Sequence, residues 1–163
     1  MRKSEEDDFG AFVASRMDRW RRTAYLFSHD WHTADDIVSI TVGRLYRHWH
    51  KVSQARNPDA YAQRVLTHSW LDECRRPWAR EQSQAELPET PWLPTDQVVD
   101  RESLARLLES LAPRQRTVLV LRFYLGYTLD ETAELLGVSV GTVKSQSSRG
   151  LETLRTLPSS FGS

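Results

Sequence analysis

The chain has 163 residues, 39% apolar and 27% charged, with 22 Lys/Arg matched by 22 Asp/Glu. That length suits one medium domain or two small ones with small cores. No apolar run approaches the ~18 residues of a membrane span, residues 1–8 are charged where a secretory signal needs an apolar centre, and Cys74 is the only cysteine, so the sequence reads as cytoplasmic, without an internal disulfide or a multi-cysteine zinc site.

Residues 1–8 read as a flexible charged tail. Next comes one amphipathic helix, "FGAFVASRMDRWRRTAYLF" (9–27). In "WHTADDIVSITVGRLYRHWHKV", Ile37, Thr41, Leu45 and Trp49 recur four apart, with Val38, Val42 and Tyr46 beside them, which predicts a helix with one broad buried stripe. Thr33 is placed to cap its start, and Asp35 and Asp36 then fall in the first turn, where the helix dipole favours negative charge. After the loop "KVSQARNPDA", a helix runs from Pro58 through "DAYAQRVLTHSWLDECRR"; Pro58 suits a first turn and Pro77 ends it. Trp49 and Trp70 read as core aromatics, and Cys74 as a bystander on a helix.

Charge then divides the chain. Residues 1–80 hold 14 Lys/Arg against 11 Asp/Glu, residues 81–100 none against 5, and residues 101–163 8 against 6. The acidic stretch "EQSQAELPETPWLPTDQVVD" contains Pro88, Pro91 and Pro94 and has no helical period, so it is an extended joint and the domain boundary. Four further helices follow: "RESLARLLESL", "PRQRTVLVLRFYL", "LDETAELLG" and "SVGTVKSQSSRGLETLRTL". No segment alternates as a strand does. The fold class is therefore all-α, two small helical domains (9–78 and 101–157) joined by an acidic, proline-containing linker (79–100), with a flexible tail at 158–163.

The last two helices fit a helix-turn-helix, which needs a small residue at the crossing, a turn residue that tolerates positive φ, and an apolar anchor on the second helix. Ala133, Gly137 and Val143 supply these. Thr128 and Glu131 form a capping box and Ser139 can cap the second helix. On that helix Val143, Ser147, Gly150, Leu151 and Leu154 share an inward face, while Gly141, Thr142, Ser145, Ser148, Arg149 and Glu152 point away. Such a small, polar outer face lets a helix sink into a major groove: Lys144 can meet phosphates, and Arg149 or Ser145 can reach base edges. An ordinary amphipathic hairpin would not place Gly141 beside the helix start, where Gly costs roughly 1 kcal/mol relative to Ala.

Together, "DWHTADDIVSITVGRLYRHWHKV", "DAYAQRVLTHSWLDECRRPW", the acidic joint and "LESLAPRQRTVLVLRFYLGYTLDETAELLGVSVGTVKSQSSRGLETLR" resemble an extracytoplasmic-function (ECF) sigma factor of the SigE-like branch, over about Phe9 to Leu157. The resemblance implies sigma region 2 over 9–78 and region 4 over 101–157, and a protein that binds core RNA polymerase and directs promoter recognition, melting and initiation. It also implies residue roles. The helix from Asp35 to Trp49 matches the part that docks on polymerase, with Asp35, Asp36, Ile37, Val38 and Leu45 as contacts. Ser39 stands where Gln is usual. The loop and helix after it match the reader of the minus-ten element, which must unstack and capture bases, here through Arg56, Asn57, Tyr61, Arg64, His68, Arg75 and Arg76. His68 replaces a common Asn. In region 4, Ser139, Gly141, Thr142, Lys144, Ser145, Ser148 and Arg149 match the reader of the minus-thirty-five element, Gln146 fits the SigE-like branch, and Arg114 and Arg116 are placed to touch phosphates.

The neutral charge then acquires a reason. Phosphate neutralisation supplies most non-specific DNA affinity, and a factor held on polymerase grips promoter DNA with two domains at once, so it needs little charge of its own. Free of polymerase, its apolar docking stripe has to be hidden, by one region packing on the other or by an anti-sigma protein. The acidic joint, with Glu81, Glu86, Glu89, Asp96 and Asp100, fits either a solubilising linker or a segment threading basic polymerase surfaces.

Two other classes remain for comparison. A free-standing helix-turn-helix regulator would use residues 1–80 to sense a ligand or dimerise. A metal hydrolase would use His29, Asp30, His32, Asp35 and Asp36, but these lack a second ligand group, a phosphate loop or a nucleophile pair. The expectation is a non-enzyme with no cofactor, metal, small-molecule substrate or membrane partner, whose partners are core polymerase, promoter DNA and, as a further candidate, an anti-sigma protein.

Overall fold

The computed structural model describes residues 2–76 and 101–157, which form helices and short connections, with no strand among the described residues. The acidic joint, including Glu81, Glu86, Glu89, Asp96 and Asp100, and the segment 158–163 lie outside them.

Two helices stand where one was expected from 9 to 27. Helix α1 spans Lys3–Ala14 and α2 spans Met17–Ser28. The break at Ser15 and Arg16 is held by the side chains there: the Ser15 hydroxyl and the Arg16 guanidinium each donate to the Phe12 carbonyl at 3.0 Å, satisfying an end that helical bonding leaves open. The chain is thus helical from Lys3, where a flexible tail was expected over 1–8. Phe9 and Phe12 of α1 each place their ring 5.3 Å from that of Trp49, which ties α1 to the rest of the amino-terminal half.

Helix α3 spans Trp31–Arg47. Its cap is Asp30 rather than Thr33: the Asp30 carboxylate accepts the backbone N–H of Thr33 at 3.2 Å and the Thr33 hydroxyl at 2.6 Å. The hydroxyl bond is the main cause of a carboxyl held below its usual range. The helix starts one turn earlier than expected, so Asp35 and Asp36 lie past the first turn and dipole compensation does not account for them. The short helix α4, Trp49–Gln54, occupies part of the stretch expected to be loop. Helix α5 spans Pro58–Cys74, with Pro58 in its first turn and the Asn57 side chain accepting the Ala60 N–H at 3.1 Å.

In the carboxy-terminal half, α6 spans Arg101–Glu109 and α7 spans Pro113–Leu119, continuing into a π-helical turn, Val120–Tyr124. Helices α8, Leu129–Leu136, and α9, Val140–Arg155, complete it. Two small cores were expected. The two halves instead share a continuous buried cluster, in which Phe27, Leu66 and Trp70 of the first half join Leu108, Leu111, Leu119 and Leu121 of the second. Val118, Ala133 and Val143 form a separate small cluster within the second half. Cys74 is partly buried, which pushes its thiol up to about 11 and leaves it a poor nucleophile.

Candidate nucleic-acid interface

The helix-turn-helix is built as its sequence suggests. Thr128 and Glu131 cap α8 reciprocally, the hydroxyl accepting the Glu131 N–H at 3.0 Å and the carboxylate accepting the Thr128 N–H at 2.8 Å. Gly137 takes φ +69°, the left-handed turn that L side chains resist. Ser139 then caps α9 by accepting the Thr142 N–H at 3.1 Å. Ala133 and Val143 pack at the crossing.

Gly150 lies on the inner face of α9 for a reason absent from the spacing argument. A Cβ there would stand 3.0 Å from Leu119 Cδ1, so the close approach of α9 to α7 depends on its absence. With this inner face buried, Ser139, Gly141, Thr142, Lys144, Ser145, Ser148 and Arg149 are all exposed. They form one side of the helix, and a Cβ at Gly141 would meet only the Ser139 Oγ, at an ordinary contact distance of 3.7 Å.

The candidate minus-ten residues separate into three groups. Tyr61, Arg64 and His68, at helical spacing on α5, line a cleft of about 450 Å³ together with Arg44 and Arg47 of α3 and His48 at its C-cap. Arg56 is exposed in the preceding loop, where the Asn57 side-chain oxygen is engaged as the α5 cap. Arg75 and Arg76 lie at the far end of α5, paired with Asp72 at 3.4 Å and Glu73 at 3.5 Å. Arg44, Arg47 and His48 were not among the sequence candidates. Their signal, three basic or titratable residues at i, i+3 and i+4, sits on a helix read for its apolar stripe. Arg44 is held by Asp72 at 3.2 Å and donates to the Ser69 hydroxyl at 3.0 Å, which fixes it against α5.

The polymerase-docking candidates need correction. Ile37 and Leu45 are fully buried and Val38 is 5% exposed, so all three belong to the interior of the amino-terminal half rather than to a surface. The exposed edge of α3 comprises His32, Asp35, Asp36, Ser39, Gly43, Tyr46 and Arg47. Asp35 accepts from the Arg21 guanidinium at 2.6 Å. Arg116 is likewise not a free surface cation: it is half-buried, with its guanidinium over Trp70 and bonded to backbone carbonyls, and burial lowers its pKa. It cannot touch a phosphate in this arrangement.

Sequence comparison places these two halves in a known order. The family described as Sigma-70 region 2 matches residues 12–80, and Sigma-70 region 4 matches residues 101–154. An "RNA polymerase sigma-E factor" of Streptomyces coelicolor is 36% identical over 149 residues, covering 91% of this chain and 84% of that one. This chain is an ECF sigma factor. It is also similar to the "ECF RNA polymerase sigma factor SigW" of Bacillus subtilis, 27% identical over 95% of this chain and 91% of the relative. Among solved structures, the sigma factor RpoE from Bartonella quintana, in complex with the anti-sigma factor NepR, superposes with a TM-score of 0.71 at 23% identity, covering 92% of this chain and 96% of that one. CnrH, in complex with the cytosolic domain of CnrY, superposes with a TM-score of 0.61 at 24% identity, covering 93% and 88%. Both share the fold.

An ECF sigma factor works on core RNA polymerase, recognising promoter DNA and allowing initiation. The reading of residues 1–80 as a sensor or dimerisation domain falls, because that half is itself sigma region 2. Among the described residues no His, Cys, Asp and Glu group has metal-binding geometry, and no helix is long and apolar enough to cross a membrane.

Proposed function

We propose that this sigma factor divides promoter recognition between two faces and docks on polymerase through a third. The outer face of α9 enters the major groove of the minus-thirty-five element: Lys144 meets backbone phosphate, Arg149 and Ser145 reach base edges, and the small residues Ser139, Gly141, Thr142 and Ser148 let the helix approach closely. The single observation that carries this is that all seven face solvent on a helix whose start, turn and crossing are each fixed by capping or close packing.

The cleft between α3 and α5 takes bases of the opened minus-ten strand. Arg44, Arg47 and Arg64 offer cations to its backbone, while Tyr61, His48 and His68 offer flat surfaces for stacking. Arg56 lies on the loop leading to this cleft, and Arg75 and Arg76 extend the basic edge along α5. The exposed edge of α3 around Asp35 and Asp36 meets polymerase, with Ile37, Val38 and Leu45 holding that edge in place from inside. The protein acts in the cytoplasm without catalytic chemistry of its own, and an anti-sigma protein is a fitting further partner.

Run-off transcription with purified core polymerase on a promoter library tests the reading. Transcripts should appear only when the chain is added and should start downstream of a shared pair of elements. A chain that selects the same sites without polymerase would contradict it.

A further inference from the structure

One cation of the basic cleft is held in place while the others are not. The Arg44 guanidinium donates from Nη1 to the Ser69 hydroxyl at 3.0 Å, and its Nη2 lies 3.2 Å from Asp72 Oδ2. Each acceptor is itself fixed. The Ser69 hydroxyl, 1% exposed, donates its proton to the Val65 carbonyl at 2.8 Å, so toward Arg44 it can only accept. The other carboxylate oxygen of Asp72 faces Arg75 at 3.4 Å. Ser69 and Asp72 continue, at helical spacing, the face of α5 on which Tyr61, Val65 and His68 line the cleft.

Arg47 and Arg64 also line the cleft, but they are exposed and neither has an ion pair or a side-chain hydrogen bond among the described residues. No carboxylate is among the residues that line it. A loosely held cation follows a strand wherever it lies, whereas a fixed guanidinium receives a phosphate in one place, and phosphate contacts set the register in which bases are read. The two bonds to α5 leave the other N–H groups of Arg44 for that contact. We propose that Ser69 and Asp72 are positioning residues of the minus-ten cleft: they hold the Arg44 guanidinium so that it pins one phosphate of the opened strand and sets which bases meet Tyr61 and His68. The proposal rests on the reading of the cleft as the minus-ten site.

Positioning and plain electrostatics predict different outcomes for the loss of Asp72. Asp72→Ala removes a carboxylate beside a basic cleft and releases Arg75, which by charge alone strengthens binding to any single strand. Loss of register instead weakens the discrimination of one sequence from another. The Arg44 and Asp72 side chains are 36% and 47% exposed, so their pair adds little to stability and the variant should fold. Ser69→Ala removes the other acceptor and keeps every charge, so a loss of discrimination there has no electrostatic origin.

Holoenzyme reconstituted with the wild type, Asp72→Ala, Ser69→Ala, Arg44→Ala, or Arg44→Ala combined with Asp72→Ala is titrated with two fluorescent fork-junction probes. The unpaired strand of one carries the minus-ten sequence found by run-off transcription; in the other those bases are scrambled. Asp72→Ala should bind the scrambled probe at least as well as the wild type does, yet lose discrimination between the probes several-fold, and Ser69→Ala should lose it to a smaller extent. With Arg44 already replaced, Asp72→Ala should change discrimination no further, because the two act as one unit. Unchanged discrimination in both single variants, a gain or loss of binding equal for both probes, or an Asp72→Ala effect that persists without Arg44 and so runs through Arg75, overturns the positioning. If Arg44→Ala leaves binding to both probes unchanged, the minus-ten reading of the cleft falls, and the positioning with it.

Discussion

Arg149 and Lys144 share the exposed face of α9 but differ in what their charges can read. A guanidinium aimed at a base edge discriminates sequence, so Arg149→Ala should cost about 1–3 kcal/mol at preferred promoters and relax selectivity at one or two minus-thirty-five positions. An ammonium on phosphate does not discriminate. Lys144→Ala should weaken all promoters alike and reduce the salt slope of holoenzyme binding by about one. Promoter selection by reconstituted holoenzyme over randomised upstream elements, repeated at several salt concentrations, distinguishes the two. Equal loss of selectivity in both variants would contradict the division. Asp59 offers a residue-scale test of the fold instead. The Arg16 guanidinium holds its carboxyl below the usual range, so the bond stabilises the folded chain above the unfolded carboxylate value, about 3.9, and the contribution disappears as pH falls through the lower folded value. Urea denaturation from about pH 7 down to about pH 3 should therefore show wild type and Asp59→Asn converging at the acid end.

At the scale of elements, the paired glycines of α9 predict opposite outcomes. Gly150→Val thrusts side-chain atoms into the Leu119 contact, already 3.0 Å from a bare Cβ, and should destabilise the protein by about 1–3 kcal/mol in denaturation. Gly141→Leu meets only the Ser139 Oγ at an ordinary 3.7 Å contact and should leave stability equal or slightly higher, while its bulk holds α9 out of the groove and lowers minus-thirty-five use. For α3, Asp36→Arg should weaken core polymerase binding by about tenfold, roughly 1.4 kcal/mol, with an unchanged melting curve, because Asp36 is exposed. An Ile37 substitution would instead damage the interior and report nothing about docking. These elements also mark what was legible in the sequence. Helix α9 and its turn could be read because each is fixed by local chemistry: Thr128 with Glu131, Gly137 and Ser139 act within a few residues of one another. The start of α3 was harder, since Asp30 and Thr33 are both competent caps and the hydroxyl of one serves the carboxylate of the other. Periodicity found the apolar stripe of Ile37, Val38 and Leu45, but period alone does not say whether a stripe faces its own domain or a partner. The basic cleft was half legible, because Arg44, Arg47 and His48 join it only through the packing of α3 on α5.

The whole molecule explains how a DNA-binding chain can be neutral. Its cations are divided among structural and DNA-facing duties: Arg116 is bonded to backbone carbonyls, Arg16 and Arg21 pair with Asp59 and Asp35, and Arg44 pairs with Asp72. The remaining cations are offset by as many carboxylates, 22 Lys/Arg against 22 Asp/Glu in all, so the free chain should bind duplex promoter DNA with a Kd of about 10⁻⁵ M or weaker at physiological salt, and much more tightly once polymerase supplies the second grip. Fluorescence anisotropy with and without core polymerase measures the difference. The joining of the two halves into one buried cluster depends on contacts far apart in the chain, which sequence periodicity cannot pair. Phe27 and Arg116 are 89 residues apart. A ribosome adding about 5–20 residues each second takes roughly 4–18 s to travel from one to the other. During that interval the Trp70 side of region 2 is made before Thr117 and the rest of region 4 that pack on it. Each newly made molecule thus passes once through a state, fixed by the order of synthesis, in which region 2 exists before the half that completes its buried cluster.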